Sequence, residues 1–354
     1  MRRIISTLNE KNITCGYLYF YVHFVVEVVC FFYLSRISNS PIVWLIPFLY
    51  DAFAFVPQSI IGYINDKYKI NTGIIGVILL IIGIGIYSFL NISIYISLFI
   101  ICFGNAFLHI SGAENTLKVS EGKLSHSAIF VSGGSFGVIS GRLLAKTMIP
   151  SWILLPFILT IIPFVLYANT FTTNKSNCDK FDYVKKSINP MIVILISFLV
   201  VIIRGYMGYG IPTSWNKTVI QNVLLFTFMG LGKALGGILS DTYGIRKVAI
   251  LSTLLAIPFL CFGDSIMIIS LIGVMAFSMT MSITLGILVS ILKKTPGLAF
   301  GITTIGLFIG TAPIFFVKTP NILYNSIMIV GLSILCSFLL GLILKGDKNV
   351  WMVF

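Results

Sequence analysis

The sequence predicts an all-α polytopic membrane protein, with twelve transmembrane helices in two pseudo-symmetric six-helix halves. Three observations predict it. First, 57% of the 354 residues are apolar, only 10% are charged, and mean hydropathy is +1.02. A soluble domain carries roughly a quarter charged residues. Second, apolar runs long enough to cross a bilayer as helix recur along the chain with very short breaks. At about 20 residues each, twelve spans use about 240 residues and leave only minimal loops. Third, two stretches half a protein apart are copies in outline: Gly62-Tyr63-Ile64-Asn65-Asp66-Lys67-Tyr68-Lys69 and Gly237-Ile238-Leu239-Ser240-Asp241-Thr242-Tyr243-Gly244-Ile245-Arg246-Lys247. Each closes one apolar run and sets an acid and then bases into a short polar turn. A repeat of this kind marks two similar halves with a site between them.

The runs and their punctuation place the spans in order. Span 1, 13–35, is too long for a signal-peptide core and carries His23 and Glu27, so it reads as retained. Span 2, 42–63, carries Asp51 and ends in the first repeat turn; span 3 is 73–90. Span 4, 92–112, holds His109. Span 5, 126–148, carries Arg142 and Gly133, Gly137 and Gly141 at steps of four, a face that lets another backbone approach closely. Span 6 is 150–169. The longest polar stretch follows, 170–188, with Lys175, Lys180, Lys185, Lys186, Asp179 and Asp182; it reads as the linker between halves 1–169 and 189–354. Span 7, 189–211, carries Arg204; span 8, 218–239, carries Lys233 and ends in the second turn. Spans 9 and 10 are 247–263 and 265–291. Span 11, 298–317, follows Thr295-Pro296, a cap and first-turn pair, and span 12 is 322–344.

Charge placement predicts orientation. With the amino terminus inside, Arg2, Arg3, Lys11, Lys67, Lys69, Lys118, Lys123, the linker lysines, Arg246, Lys247, Lys293, Lys294, Lys345 and Lys348 all fall on the cytoplasmic side. Arg36, Lys217 and Lys318 are left outside. This positive-inside bias predicts a cytoplasmic-membrane protein with both termini cytoplasmic. It accounts for the net charge of +13 through anionic lipid, not nucleic acid. The six cysteines form no CxxC pair. There is no nucleophile elbow, HExxH, P-loop or dinucleotide fingerprint, so an enzyme is not expected. His23, His109 and His126 are scattered in sequence, and neither a metal site nor a cofactor is expected.

Charges inside spans carry the chemistry. Each costs at least about 2.5–3.5 kcal/mol at mid-helix, so it faces the interior and has a partner. The set is His23, Glu27, Asp51, His109, Arg142, Arg204 and Lys233. In one reading Glu27, Asp51 or His109 takes a proton while Arg142, Arg204 or Lys233 holds an anionic group. In the other, Glu27 or Asp51 pairs with Arg142 and locks the first half. A carboxylate such as Asp66 or Asp241 is favoured beside a helix amino terminus, where partial positive charge collects.

These residues resemble the major facilitator superfamily, whose signature turn reads approximately G-x-L-x-D-R-x-G-R-R/K after span 2 and again after span 8. The second copy matches at Gly237, Leu239, Asp241, Gly244, Arg246 and Lys247. The first keeps Gly62, Asp66 and Lys67 but has Lys69 where glycine is expected. The resemblance implies that spans 2 and 11, and spans 8 and 5, face each other, so that Asp66 and Asp241 pin them shut on the inside. A finer resemblance, to the fosmidomycin-resistance-type efflux branch, rests on Phe107-Leu108-His109, Gly122-Lys123 and the run Ile129 to Gly137, with Ile110 in place of that branch's proline. The family implies a secondary transporter, a lipid-embedded monomer moving a drug or metabolite by alternating access, coupled to protons. The alternative on the same fold is a non-transporting receptor or partner subunit.

Overall fold

In lipid every backbone amide and carbonyl must be satisfied within its own segment, so apolar runs become helices. The computed structural model describes residues 13–37, 44–171, 177–211, 213–316 and 322–346. Its helices are α1 (Ile13–Arg36), α2 (Leu45–Tyr68), α3 (Thr72–Leu90), α4 (Ile94–Val119), α5 (Ser125–Ala145), α6 (Leu154–Phe171), α7 (Pro190–Gly210), α8 (Val219–Tyr243), α9 (Ile245–Cys261), α10 (Met267–Ile291), α11 (Pro296–Thr311) and α12 (Ile322–Ile343). Among the described residues, eleven helical stretches are long and apolar enough to cross a membrane; α9, with 17 residues, is the short one. Two are interrupted: α2 at Val56, before Pro57, and α10 at Met279. Proline has no amide to donate to the preceding turn. Arg2, Arg3, Lys11, Lys175, Lys318 and Lys348 lie outside the described residues.

Three helices run past their expected ends: α2 to Tyr68, α4 to Val119 and α8 to Tyr243. Polar side chains near their ends are buried. Asn65, Asp66, Glu114, Asn115 and Thr116 are all shielded from solvent, so apolarity stops before the helix does. Asp66 and Asp241 therefore stand on the final helical turns, not in loops, and their carboxylates are held by regular backbone.

The outer helices present large apolar side chains, among them Ile78 of α3, Leu159 of α6, Leu251 of α9 and Ile327 of α12. The interior is built on α1, α4, α5 and α10. The α1–α5 contact is set by the glycine row: a Cβ on Gly133, Gly137 or Gly141 would strike the backbone carbonyl of Phe20, Phe24 or Val28, respectively. Both series advance in steps of four, so the two backbones touch along one stripe.

The 170–188 stretch is a folded strap where it is described. Cys178 and Phe181 are fully buried. Val184 bridges to Leu344, the Lys185 amide donates to the Ile343 carbonyl (3.0 Å), and the Lys345 amide donates to the Tyr183 carbonyl (2.9 Å). The Tyr183 hydroxyl donates to the Gly122 carbonyl, and its amide donates to Ser290 Oγ (3.3 Å). The strap thus ties the α4–α5 loop to the ends of α10 and α12. We call this the linker end of the molecule.

Gly83 of α3 faces α4: a Cβ there would meet the Ile101 side chain at 2.7 Å. Gly85 has no neighbour within 4 Å. Gly137→Leu should therefore cost about 3 kcal/mol or more, because backbone cannot move aside. Gly85→Leu should stay within about 0.5 kcal/mol. Thermal unfolding in detergent measures both, and equal stability of the two variants would contradict the α1–α5 contact.

Candidate functional site

Two helix starts at the linker end lack a cap of their own. The first residues of any helix leave backbone amides without intrahelical partners. At α5 the capping position is Leu124, which offers no acceptor. At α11 it is Thr295, whose hydroxyl makes no capping bond despite the favourable Thr-Pro pair. In both places a carboxylate from a distant helix does the capping. Asp241 of α8 accepts from the Leu124 and Ser125 amides, each at 2.8 Å. Asp66 of α2 accepts from the Gly297 amide (3.1 Å) and the Leu298 amide (2.8 Å). Each carboxylate uses both oxygens on two consecutive amides.

The glycine four residues before each aspartate makes this approach possible. A Cβ on Gly62 would overlap the Gly297 carbonyl, and one on Gly237 would overlap Ala128 and the Leu124 carbonyl. The glycine and aspartate of each copy lie on one helix face, a turn apart. The same device is built twice, once between α2 and α11 and once between α8 and α5.

The remaining turn residues differ between the copies. Gly244 has φ 97°, ψ 136°, and both closes the C-terminal end of α8 and caps the start of α9. In the first copy Lys69 closes the end of α2 with φ 55°, a left-handed conformation that disfavours a side chain, while Asn71 caps α3. Lys67 is exposed, its ammonium 5.0 Å from the Tyr68 ring centre. Arg246 lies beside Gly346, and Lys247 is half-buried at the start of α9. A cavity of about 660 Å³ adjoins this turn, lined in part by Lys123, Lys186, Lys345 and Asp241. Lys345 forms an ion pair with Asp182, which holds that exposed carboxyl below its ordinary range.

Between the ends lies a buried polar cluster. His23 and Glu27 sit one turn apart on α1, and His109 of α4 meets them. His23 Nε2 and His109 Nε2 are 2.8 Å apart, and Glu27 Oε1 lies 3.7 Å and 3.5 Å from them. These three ligand-bearing groups fall within 4.8 Å of one another. The expectation that the histidines are scattered is thereby corrected: 86 residues separate them in sequence, and only the α1–α4 packing joins them. Gly134 makes room, since a Cβ there would collide with the His23 ring. Asn105, one turn before His109, donates toward Glu27 Oε1 (3.3 Å) and Tyr50 Oη (3.0 Å). Sequence reasoning missed Asn105, although an amide four residues before a histidine in an apolar run was a visible signal. Phe130 and Phe300 close the cluster, with Phe300 of α11 stacked near His109 at 6.4 Å between ring centres.

Asp51 of α2 is buried within electrostatic reach of Glu27. Lys233 of α8 is also within reach of Glu27. Glu27 takes its ion-pair geometry with the two histidines, while the Arg142 guanidinium lies over the rings of Phe31 (5.2 Å) and Phe226 (5.1 Å). Arg142 lines a cavity of about 430 Å³ with Ser35, Lys146, Lys217, Thr218 and Asn222, away from the linker end. There α5 and α8 part, although they touch at Gly237. Arg204 lies 5.6 Å from the Phe277 ring centre, in a slot with Thr280, Ser333 and Cys336 that has room for one water at about 10 Å³.

No protein-family model matches the chain, and no curated protein matches it. Solved structures do. The crystal structure of the E. coli fucose:proton symporter FucP matches over 93% of this chain and 99% of its own, with TM-score 0.58 at 14% identity. A second structure, described as a major facilitator superfamily transporter, FucP, in the outward conformation, matches over 91% and 98%, with TM-score 0.54 at 15% identity. At such identity the likeness is one of fold: this chain shares the helical architecture of the two matched structures.

Cys178, in the strap, reports on the linker end. Burial pushes its thiol up to about 12, which leaves almost no reactive thiolate at neutral pH. In a Cys261→Ser background, maleimide labelling of Cys178 should be slow in the intact protein. It should accelerate at least roughly tenfold once both caps are removed by Asp66→Asn and Asp241→Asn. Equally slow labelling in both proteins would show that the caps do not hold this end closed.

Proposed function

We propose that the protein is a secondary active transporter of a small solute, working by alternating access across the cytoplasmic membrane. The observation that carries this reading is the duplicated trans-cap: Asp66 on the start of α11 and Asp241 on the start of α5. A scaffold gains nothing from leaving two helix starts uncapped by their own sequence. A machine that must separate those helices gains a contact that is made and broken as a unit.

In this reading helices α1–α6 (residues 1–169) and α7–α12 (189–354) are the two halves, joined by 170–188. All twelve helices span, α9 included, and the linker end faces the cytoplasm. The positive-inside pattern supports that orientation, as Lys67, Lys69, Lys123, Arg246, Lys293 and Lys345 all lie at this end. The structure then corresponds to an inward-closed state. The cavity beside Arg142, Lys146 and Lys217 leads in from the other side and favours an anionic or polar solute. The partial match of Phe107 to Gly137 with the fosmidomycin-resistance-type branch supports efflux of a drug or metabolite.

The driving ion is a proton. The buried set His23, Glu27, Asp51 and His109 supports this, and so does the description of one matched structure as a proton symporter. Arg142, Arg204 and Lys233 are the bases proposed to receive the solute's acidic groups. Gly62, Lys67, Gly237, Gly244, Arg246 and Lys247 complete the two gating turns.

The test begins with a thermal-shift screen of purified protein, because a ligand that binds only the folded state raises its stability. The solute found is then used in proteoliposomes. Each of Asp66→Asn and Asp241→Asn should lower gradient-driven flux by roughly tenfold at normal expression, the loss of about 1–2 kcal/mol per cap. The Asp241 variant should lose at least as much, since its turn is the fuller copy. Full flux in both variants would refute the gating role.

A further inference from the structure

The two buried imidazoles pose a problem of proton number. His23 Nδ1 lies 3.0 Å from the Phe130 carbonyl oxygen, and His109 Nδ1 lies 3.0 Å from the Asn105 carbonyl oxygen. A carbonyl oxygen only accepts, so each Nδ1 must carry a hydrogen for these to be hydrogen bonds. A neutral imidazole has one such hydrogen. With both spent on carbonyls, the two Nε2 lone pairs face each other at 2.8 Å. That is a hydrogen-bond distance with no hydrogen to fill it. The chain of three contacts needs three protons, and two neutral rings supply two.

We propose that the His23–His109 pair is a buried proton-binding site, in which a third proton bridges the two Nε2 atoms and Glu27 is its counter-ion. The proposal deepens the ion-coupled reading above, on which it rests, by naming the atoms that hold the ion. Nothing covalent changes: the proton enters the shared lone pairs and leaves from them, and the pair passes from neutral to singly positive.

The surroundings suit one positive charge. Glu27 Oε1 stands 3.5–3.7 Å from both Nε2 atoms, too far for a carboxylic acid to donate to either, yet close enough to stabilise an imidazolium. Glu27 takes a long contact from the Asn105 amide, at 3.3 Å, and a hydrogen bond from Tyr50, with Lys233 within electrostatic reach; an imidazolium at 3.5–3.7 Å adds a cation at ion-pair distance. Lys233 of α8 is within electrostatic reach of both imidazoles, and Cys30 of α1, Tyr50 and Asp51 of α2, Cys102 of α4 and Lys233 surround Glu27. From α5 and α11 come the rings of Phe130 and Phe300. With Glu27 ionised beside the pair, one bridging proton leaves these three groups neutral together, whereas a divalent metal ion would leave them one charge positive.

The site is also wired to the gate. Phe300 lies one turn beyond Gly297, the residue whose amide Asp66 caps. Its ring stacks on His109 with the two planes 28° apart. A charged His109 attracts that ring face more strongly than a neutral one. Proton binding thus favours the α11 position that the Asp66 cap also favours, and proton release loosens both.

The test uses the full chain in lipid nanodiscs, with ring-¹⁵N-labelled histidine. The chain has three histidines, so His126 serves as the internal reference. The expected result is uptake of one proton per molecule by His23 and His109 together, with both Nδ1 atoms protonated throughout and the Nε2 signals averaged by a shared proton. Infrared spectra should show Glu27 ionised in the loaded form. His109→Gln should abolish the uptake, and Glu27→Gln should weaken it by at least roughly tenfold; both variants are first checked for native-like thermal unfolding. Three results would overturn the proposal: independent titration of the two rings, a proton found on Glu27 with both rings neutral, or stoichiometric Zn²⁺ binding to the pair at neutral pH. The wild-type spectra decide even if the variants fail to fold. No solute is needed, so the two readings fail separately. Loss of the shared proton with transport intact removes this assignment alone, while a shared proton in a protein that moves nothing removes the transport reading.

Discussion

The rest of the structure depends on a helix start that borrows its cap. Orphan amides at a helix amino terminus must be satisfied, and the usual remedy is a side chain one residue upstream. Here α5 and α11 are satisfied by carboxylates projected from α8 and α2. Each such contact contributes about 1–2 kcal/mol from capping and the helix dipole together. In the proposed gating, two of them would bias the linker end toward closure by about 2–4 kcal/mol, a factor of roughly 30 to 1,000 in population. That is strong enough to define a resting state and weak enough for a ligand or an ion to reverse.

In the proposed cycle the packing would convert this local bias into movement of whole helices. Glycines bring α2 onto α11 and α8 onto α5 at backbone contact, so neither crossing can bend to absorb a shift. The α1–α5 stripe makes a third close pair, and it carries His23 and Glu27 on one side and Gly134 and Phe130 on the other. A change of charge at the imidazole pair is felt by Phe300 and hence by α11. In these proposals the gate and the buried cluster would be two ends of one short mechanical path, about one helical turn long on α11.

Much of this was legible in the sequence. The apolar runs, the two turns and the in-span charges placed the helices, and the repeat singled out Asp66 and Asp241. Their partners were less visible. The amides of Leu124 and Ser125 leave no mark in a sequence, because any residue but proline supplies one. The ends of α2, α4 and α8 were read short because buried polar turns look like loops when hydropathy is the guide. The histidine pair was missed because 86 residues separate its members and pairing across helices obeys no local period. Counting depth along spans gives height in the membrane but not azimuth, so the Phe31 and Phe226 rings against the Arg142 guanidinium were not legible.

The central claim, that two borrowed caps hold the linker end shut, is tested most directly by distance measurement between spin labels. One pair at Tyr68 and Tyr243 reports the linker end, and one at Met148 and Phe262 reports the other; all four positions are exposed. In lipid, the wild-type chain should give a short, narrow distribution at the linker end. Asp66→Asn with Asp241→Asn should lengthen and broaden that distance while the Met148–Phe262 distance shortens. A linker-end distribution unchanged by the double substitution would contradict the account.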